Sequence, residues 1–396
     1  MTDTGGAAGA NSQSDELLPR LRVWPEPWQE DLIRAVVAHS DDDAVAAWRR
    51  VRARHSLREL QGSSSRLLSM IGRRLARLAP DDEDVATLRT LHRATWAANV
   101  RMLGVTLPHV MALADAGMEP LVLKGAVLLE AYHGDLGARS SVDVDILVRR
   151  RDFMRALDLL AARGLDTDED TAMLLRMGHG VGVTDGAASL DVHHLMSSWL
   201  DLDEDGLWSH SETISILGNQ VHVPSPTDLL THVVVHGIRP AWPVNLRWIV
   251  DALAILRERG GDVDWDRLVA GLDGPAIPLV DAGLSYLAET FDAPVPGAVF
   301  DGLAARHVGL RARLLYRVSM TSYLGPTFGN VPGLVSHFAR TRRGQGTRAL
   351  PGDLSEFLTM MLGVERLGEL PGVVRARWRR HRRRLKSGGR PSATGG

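Results

Sequence analysis

The stretch over residues 120–150, PLVLKGAVLLEAYHGDLGARSSVDVDILVRR, places the tightest limits on the fold. Leu121-Val122-Leu123 is a short apolar run between Pro120 and Lys124-Gly125, which reads as a buried strand stopping at a glycine. Residues 126–132 are good helix formers with no breaker, predicting a short helix directly after Gly125. Residues 134–141 are loop by composition. Then Val142-Asp143-Val144-Asp145-Ile146-Leu147-Val148 alternates, and on a strand residues i and i+2 share a face. Asp143 and Asp145 are therefore expected to point one way, and Val142, Val144, Ile146 and Val148 toward the core.

Two carboxylates on one face repel each other and lose hydration when partly covered; a divalent cation is the usual reason to keep them. A solvated strand face with two alternating aspartates is the plainer alternative. The strand–glycine–helix unit upstream argues against it, because a glycine where a helix begins lets backbone N–H groups approach a phosphate. A phosphate cradle beside metal-binding carboxylates describes phosphoryl or nucleotidyl transfer.

Downstream, Asp152 is placed to cap a helix over residues 153–163 that carries Ala156, Leu157, Leu160 and Ala161 on one stripe and closes at Gly164. Asp185-Gly186 between two alternating runs predicts a hairpin, with Ser189, Asp191 and His193 on one face of its second arm. A two-metal transfer needs a third carboxylate. Asp191 is one carboxylate on such a face, with Asp185 and Asp201 next should it point away, although a lone aspartate on a strand ordinarily faces solvent. Residues 226–238 form a helix carrying His232 and His236 at i and i+4, on one face. Val233 stands where a zinc-protease motif needs glutamate, so that reading fails. A second amphipathic helix over residues 246–257 bears Asp251.

The series LKG, YHGDLGAR and SVDVDILV resembles the LKG…Y-G…R…S-D-I-D-L-L-V series of an uncharacterised bacterial nucleotidyltransferase family. That family belongs to the polymerase-beta-like superfamily and is akin to the nucleotidyltransferase toxins of abortive-infection systems. LDVHHL around Asp191 and the S-P-x-D-L-L-x-H-x-x-x-H…L-R-W-x-x-D pattern extend the resemblance over residues 107–256. It implies an α+β fold, a small mixed sheet with two helices on one face, flanked by N-terminal and C-terminal helical regions. It also implies transfer of a nucleoside monophosphate from an NTP to an acceptor, with Mg2+ as cofactor and Mn2+ as its alternative. Asp143, Asp145 and Asp191 would be the catalytic and metal-binding residues, and Lys124, Gly125 and Arg139 would bind nucleotide. His193, His232, His236 and Asp251 would support the site or touch substrate. Many superfamily members have Gly-Ser where this chain has Gly125-Ala126, so a serine contact to phosphate is missing there.

Other readings remain open at this point. One is a non-catalytic protein on the same fold that binds nucleotide, RNA or peptide. Another is a metal-dependent phosphohydrolase built on His193, His232, His236 and Asp251, which leaves Asp143 and Asp145 idle.

The chain is divided by composition into a disordered start (1–16), an N-terminal helical region (17–118), the transferase core (119–225), a C-terminal helical domain (226–374) and a basic tail (375–396). In the first helical region Asp41-Asp42-Asp43 is expected to cap a helix bearing Ala44, Val45, Trp48 and Val51, and a long helix is expected over 84–116, ended by Gly117. Trp48 and Trp96 are expected in the core. Further helices surround Leu268, Leu284 and Leu314, and residues 323–351 read as irregular. With no cysteine, thiolate sites and disulfides are excluded. No secretory signal or membrane-length apolar run is present, so a cytoplasmic protein with no membrane partner is expected. Nine Lys/Arg and no acid over residues 375–390 leave −11 on the rest of a chain whose net charge is −2. That tail could bind nucleic acid or be a solvated helix end.

Overall fold

The computed structural model describes residues 23–167, 171, 174–175, 178–197, 200, 203–238, 244–321, 338–339, 353–362 and 366–369. The basic tail, the first sixteen residues, Asp201 and nearly all of the stretch read as irregular lie outside the described residues. The fold is mixed α+β, with fourteen α-helices and one six-stranded sheet among the described residues.

Among the described residues four α-helices precede the sheet: α1 (Pro27–Val37), α2 (Asp41–Arg52), α3 (Leu68–Leu78) and α4 (Val85–Asp115). Ser40, rather than the three aspartates after it, caps α2 by accepting from Asp43 N. The aspartates occupy the first turn, where they face the positive end of the helix dipole. Trp48 is fully buried, but Trp96 on α4 is 49% exposed, a correction to its expected place in the core. Helix α4 buries one face through Leu88, Thr95, Asn99, Leu103 and Leu107, with Trp96 lying off that face. It ends before Gly117, which turns the chain at φ +77°.

The strands are β1 (Leu121–Val122), β2 (Val144–Leu147), β3 (Gly180–Thr184), β4 (Ser189–His193), β5 (Glu212–Ile216) and β6 (Asn219–Val223), arranged β3-β4-β2-β1-β6-β5. β1 runs antiparallel to β2 and parallel to β6, and β2 runs parallel to β4. The β3–β4 hairpin turns at Gly186, φ +89°, where Asp185 accepts from the N–H groups of Ala187 and Ala188. Asp185 is thereby spent on the turn and exposed.

β2 begins two residues later than the alternation implies. Ser141 Oγ donates to the carbonyl of Asp143 across a bend, so Val142 sits outside the sheet and is 80% exposed instead of facing the core. Val144, Ile146 and Val148 do face the main core, joined by Val181, Val183, Leu190 and Val192. The opposite face holds a smaller cluster of Leu121, Leu123, Leu147, Met196, Leu207 and Trp208. Asp145 lies one strand step before Leu147, on that second face.

Helix α5 (Lys124–Val127) follows β1 and continues as a π-helical turn over Leu128–Tyr132. Helix α6 (Phe153–Ala162) buries Phe153, Ala156, Leu157 and Leu160 and closes near Gly164, as the apolar stripe predicts. Asp152 does not cap it with its side chain; it ends a 3-10 turn, Arg150–Asp152, in helical conformation. After the short α7 (Glu204–Ser209) come α8 (Pro226–Gly237) and α9 (Arg247–Arg259). Ser225 caps α8 by accepting from Asp228 N, with Pro226 just inside it. The two helices meet closely at Gly237, where an added Cβ would run into Trp248. The chain then forms α10 (Trp265–Gly271), α11 (Ala276–Phe291), α12 (Gly297–Ala305), α13 (Leu310–Thr321) and α14 (Asp353–Leu362).

Candidate active site

The parallel register of β2 and β4 sets Asp145 directly beside Asp191. Since both point off the same sheet face, their carboxylates stand next to each other. His193 is two residues along β4 and shares that face. Its Nε2 lies 3.3 Å from Asp145 Oδ1 and 3.2 Å from Asp191 Oδ2. One ligand atom from each of the three lies within 4.8 Å of the others, the separation a single cation could span.

Lys124 joins the cluster from the neighbouring strand end, its Nζ 2.9 Å from Asp145 Oδ1. Its backbone takes φ +36°, a left-handed conformation that costs a side-chain-bearing residue free energy, and it is held there between buried Leu123 and Gly125. Gly125 permits a close approach: a Cβ there would lie 2.9 Å from Ser141 Oγ, which would have to move. Ser141 thus brings a hydroxyl close to Gly125, where it donates to the carbonyl of Asp143.

The loop returning to β2 is anchored by α4. Asn99, fully buried, donates through Nδ2 to the carbonyls of Leu136 (2.5 Å) and Arg139 (2.7 Å) and accepts from Ser141 N at 3.1 Å. His92 adds a contact to Asp135 at 2.7 Å. Arg139 is thereby fixed, and its Nη1 donates to Asp251 Oδ2 at 2.9 Å while His133 Nε2 meets Oδ1 of the same carboxylate at 3.0 Å.

Lys124, Gly125, Arg139, Asp143, Asp145 and Asp191 all line one cavity of about 500 Å3, along with His236 and Asp251. Asp143 lines it from the bend before β2 and is not part of the tight three-ligand group. Cavity residues that the sequence reading passed over are Ser63, Arg66, Ser141, Arg247 and Trp248. Arg247 donates to the carbonyl of Ser140 at 2.9 Å. The LRW series signalled its helix but not its direction.

The electrostatics are those of opposed charges sharing a small space. Burial pushes the Asp143 carboxyl up, and Asp145 and Asp191 push it further. Burial also works against an ionised Asp145, but the hydrogen bond from His193 and the charge of Lys124 prevail and hold it well below the usual carboxylate range. Asp191 is likewise lowered: burial opposes ionisation and His193 overcomes it. For His193 burial opposes the proton, and its hydrogen bonds to Asp145 and Asp191 hold it above the ordinary imidazole value. Burial carries His179, whose ring centroid is 5.4 Å from that of His193, down to about 4.

The four residues of the phosphohydrolase reading are divided. His193 sits with the aspartate pair and Asp251 with Arg139. His232 and His236 stack on each other, ring centroids 5.6 Å apart. His232 is buried with neither ring nitrogen hydrogen-bonded, and burial pushes it well below its ordinary value, so it is a neutral ring. Among the described residues, the group able to hold a metal with three ligands is Asp145, Asp191 and His193.

Two carboxylates and an imidazole fit a divalent cation. The oxygen donors suit Mg2+ or Mn2+, and the imidazole favours a transition ion over Mg2+. No helix among the described residues is long and apolar enough to cross a membrane.

Residues 62–277 match the model of a family described as uncharacterised nucleotidyltransferase. The crystal structure of an antigenic nucleotidyltransferase-like protein from Paracoccidioides brasiliensis is 16% identical, with a TM-score of 0.32, over 54% of this chain and 97% of that one. No curated protein matches.

Proposed function

The chain belongs to the uncharacterised nucleotidyltransferase family, and from that premise we propose that it moves a nucleoside monophosphate from an NTP to an acceptor hydroxyl or phosphate. The observation that carries this reading is the pairing of Asp145 with Asp191 in register, beside Lys124 and Gly125, in a cavity that also holds Arg139. In this proposal residues 119–225 are the transferase core, and the helical regions on either side, 17–118 and 226–374, complete the cavity.

Asp145, Asp191 and Asp143 would hold Mg2+ or Mn2+, with His193 against both carboxylates of the tight pair. Bound there, a divalent cation neutralises charge on the transferred phosphate and lowers the acceptor's pKa. Asp145 and Asp191 stay ionised at neutral pH and so remain hydrogen-bond acceptors. Asp191, 36% exposed against 14% for Asp145, faces the acceptor and takes its proton. The acceptor oxygen forms a bond to the α-phosphorus. The bond to the bridging oxygen breaks, and its electron pair leaves with pyrophosphate. Lys124, on releasing Asp145, supplies a point charge to the phosphates, and Ser141 Oγ a hydroxyl beside Gly125.

The test is incubation with each α-labelled NTP, a divalent cation and a cell extract, followed by identification of the labelled product. Label transfer by the wild type and its loss in Asp145→Asn are expected. Equal transfer by Asp145→Asn would refute the assignment.

A further inference from the structure

The cavity holds charge of both signs. Carboxylates line it, and Arg66, Arg139 and Arg247 converge on it from three separated parts of the chain, close enough that Arg139 and Arg66 act on Arg247. Like charges do not gather in a partly buried space without cost. Arg247 shows that cost: burial, and then the charges of Arg139 and Arg66, pull its guanidinium down to about 10. Asp251 is bonded to Arg139 and His133. Neither Arg66 nor Arg247 forms an ion pair with a carboxylate among the described residues. The Nε atoms of Arg139 and Arg247 are buried and have no hydrogen-bond partner. A buried donor without an acceptor is unfavourable, and a guanidinium fork matches phosphate oxygens two at a time.

We propose that Arg66, Arg139 and Arg247 form a polyphosphate subsite that takes the two terminal phosphates of the donor nucleotide, and with them the departing pyrophosphate. This rests on the reading of the carboxylates as the reacting end. The donor rather than the acceptor is assigned to it because of where the cluster is tied. Arg247 holds the carbonyl of Ser140, and the next residue, Ser141, is the one pressed against Gly125. The arginine cluster is thus continuous with the Lys124–Gly125 end of the cavity. Lys124, engaged with Asp145, serves the phosphate nearer the metal-binding pair, while the arginines receive the tail.

Calorimetric titration of the full chain with inorganic tripolyphosphate, in the presence of EDTA, tests this subsite without metal or turnover. Wild type is expected to bind one equivalent, and Arg66→Gln and Arg247→Gln to weaken binding by about tenfold each. A non-hydrolysable NTP is expected to displace it. Arg66 is exposed, so its variant folds even if Arg247→Gln, which loses the Ser140 contact, does not. Absence of binding by wild type, or undiminished binding by folded variants, would overturn the subsite. So would simultaneous binding of tripolyphosphate and the NTP analogue, since the cluster would then belong to another anion. A parallel Mn2+ titration followed by electron paramagnetic resonance separates the two readings. Failure to bind Mn2+ strikes the transferase reading, and failure to bind tripolyphosphate strikes the subsite.

Discussion

Replacing Asp251 with asparagine asks whether one buried carboxylate holds the arginine cluster of the cavity in place. The Arg139 and Asp251 side chains are 8% and 6% exposed, and Asp251 accepts at 2.9 Å from Arg139 and meets His133 at 3.0 Å. Burial alone would raise its pKa; Arg139 and His133 outweigh burial and lower it. Asparagine keeps the volume and one oxygen acceptor but removes the charge, leaving Arg139 with Arg247 and Arg66 as neighbouring charges. Breaking a buried pair from one side costs about 3–5 kcal/mol, whereas an exposed pair contributes about 0–1 kcal/mol. The Arg77–Asp41 pair, 67% and 51% exposed, is the internal control. Urea unfolding of Asp251→Asn at pH 7 should therefore show a loss of about 3–5 kcal/mol, and Asp41→Asn almost none. Because the folded carboxyl lies below its free value, its contribution is present above about pH 3.9 and is lost as pH falls through the folded pKa. The gap between wild type and variant should close over that acid range. A loss under about 1 kcal/mol at pH 7 would refute the buried-pair reasoning, as would a gap that persists in acid.

Two further outcomes follow from the geometry. His193 is held protonated above its ordinary value by Asp145 and Asp191, so its stabilising proton is fully present below about pH 6.5 and leaves as pH rises through the folded pKa. Mn2+ affinity should climb over that same rise, and the climb should flatten in His193→Asn; a profile that wild type and variant share would count against His193 as the group involved. Asn99→Ala should cost about 1–3 kcal/mol, by stranding the carbonyls of Leu136 and Arg139 and the N–H of Ser141. It should also lower label transfer through displacement of Arg139, and normal transfer in a destabilised variant would show that the loop does not need this anchor.

Several features were legible in the linear chain because their physics is local. Gly125 after an apolar run, Gly117 and Gly164 after helices, and the Asp185-Gly186 turn each state a backbone requirement at one position. The alternation of Asp145 with Val144 and Ile146 states a face. Locality also explains the failures. Val142 fits the alternation, yet a hydrogen bond from Ser141 bends the chain ahead of β2 and turns it to solvent. The β5–β6 hairpin went unread because its two-residue turn places Leu217 at φ +48° before Gly218 at +82°, where leucine is an uncommon choice. Had ETISI and NQVHV been matched as alternating runs, the hairpin would have been found.

What the sequence by itself determined, then, is which residues could do chemistry: Asp143 and Asp145 from one alternating run, Asp191 from another, and the glycine that follows the first apolar run. Strand register decided that Asp145 and Asp191 are neighbours and that His193 lies between their carboxylates, while Asp143 lines the cavity from a bend. Tertiary packing alone brought Arg66, Arg139 and Arg247 to one cavity and gave Asn99, on a brace helix with no visible motif, the task of holding the loop. The physical reason is that a motif records spacing along the chain. A binding cavity assembled from residues about 70 and 110 positions apart depends on distances set only when helix and sheet close on each other.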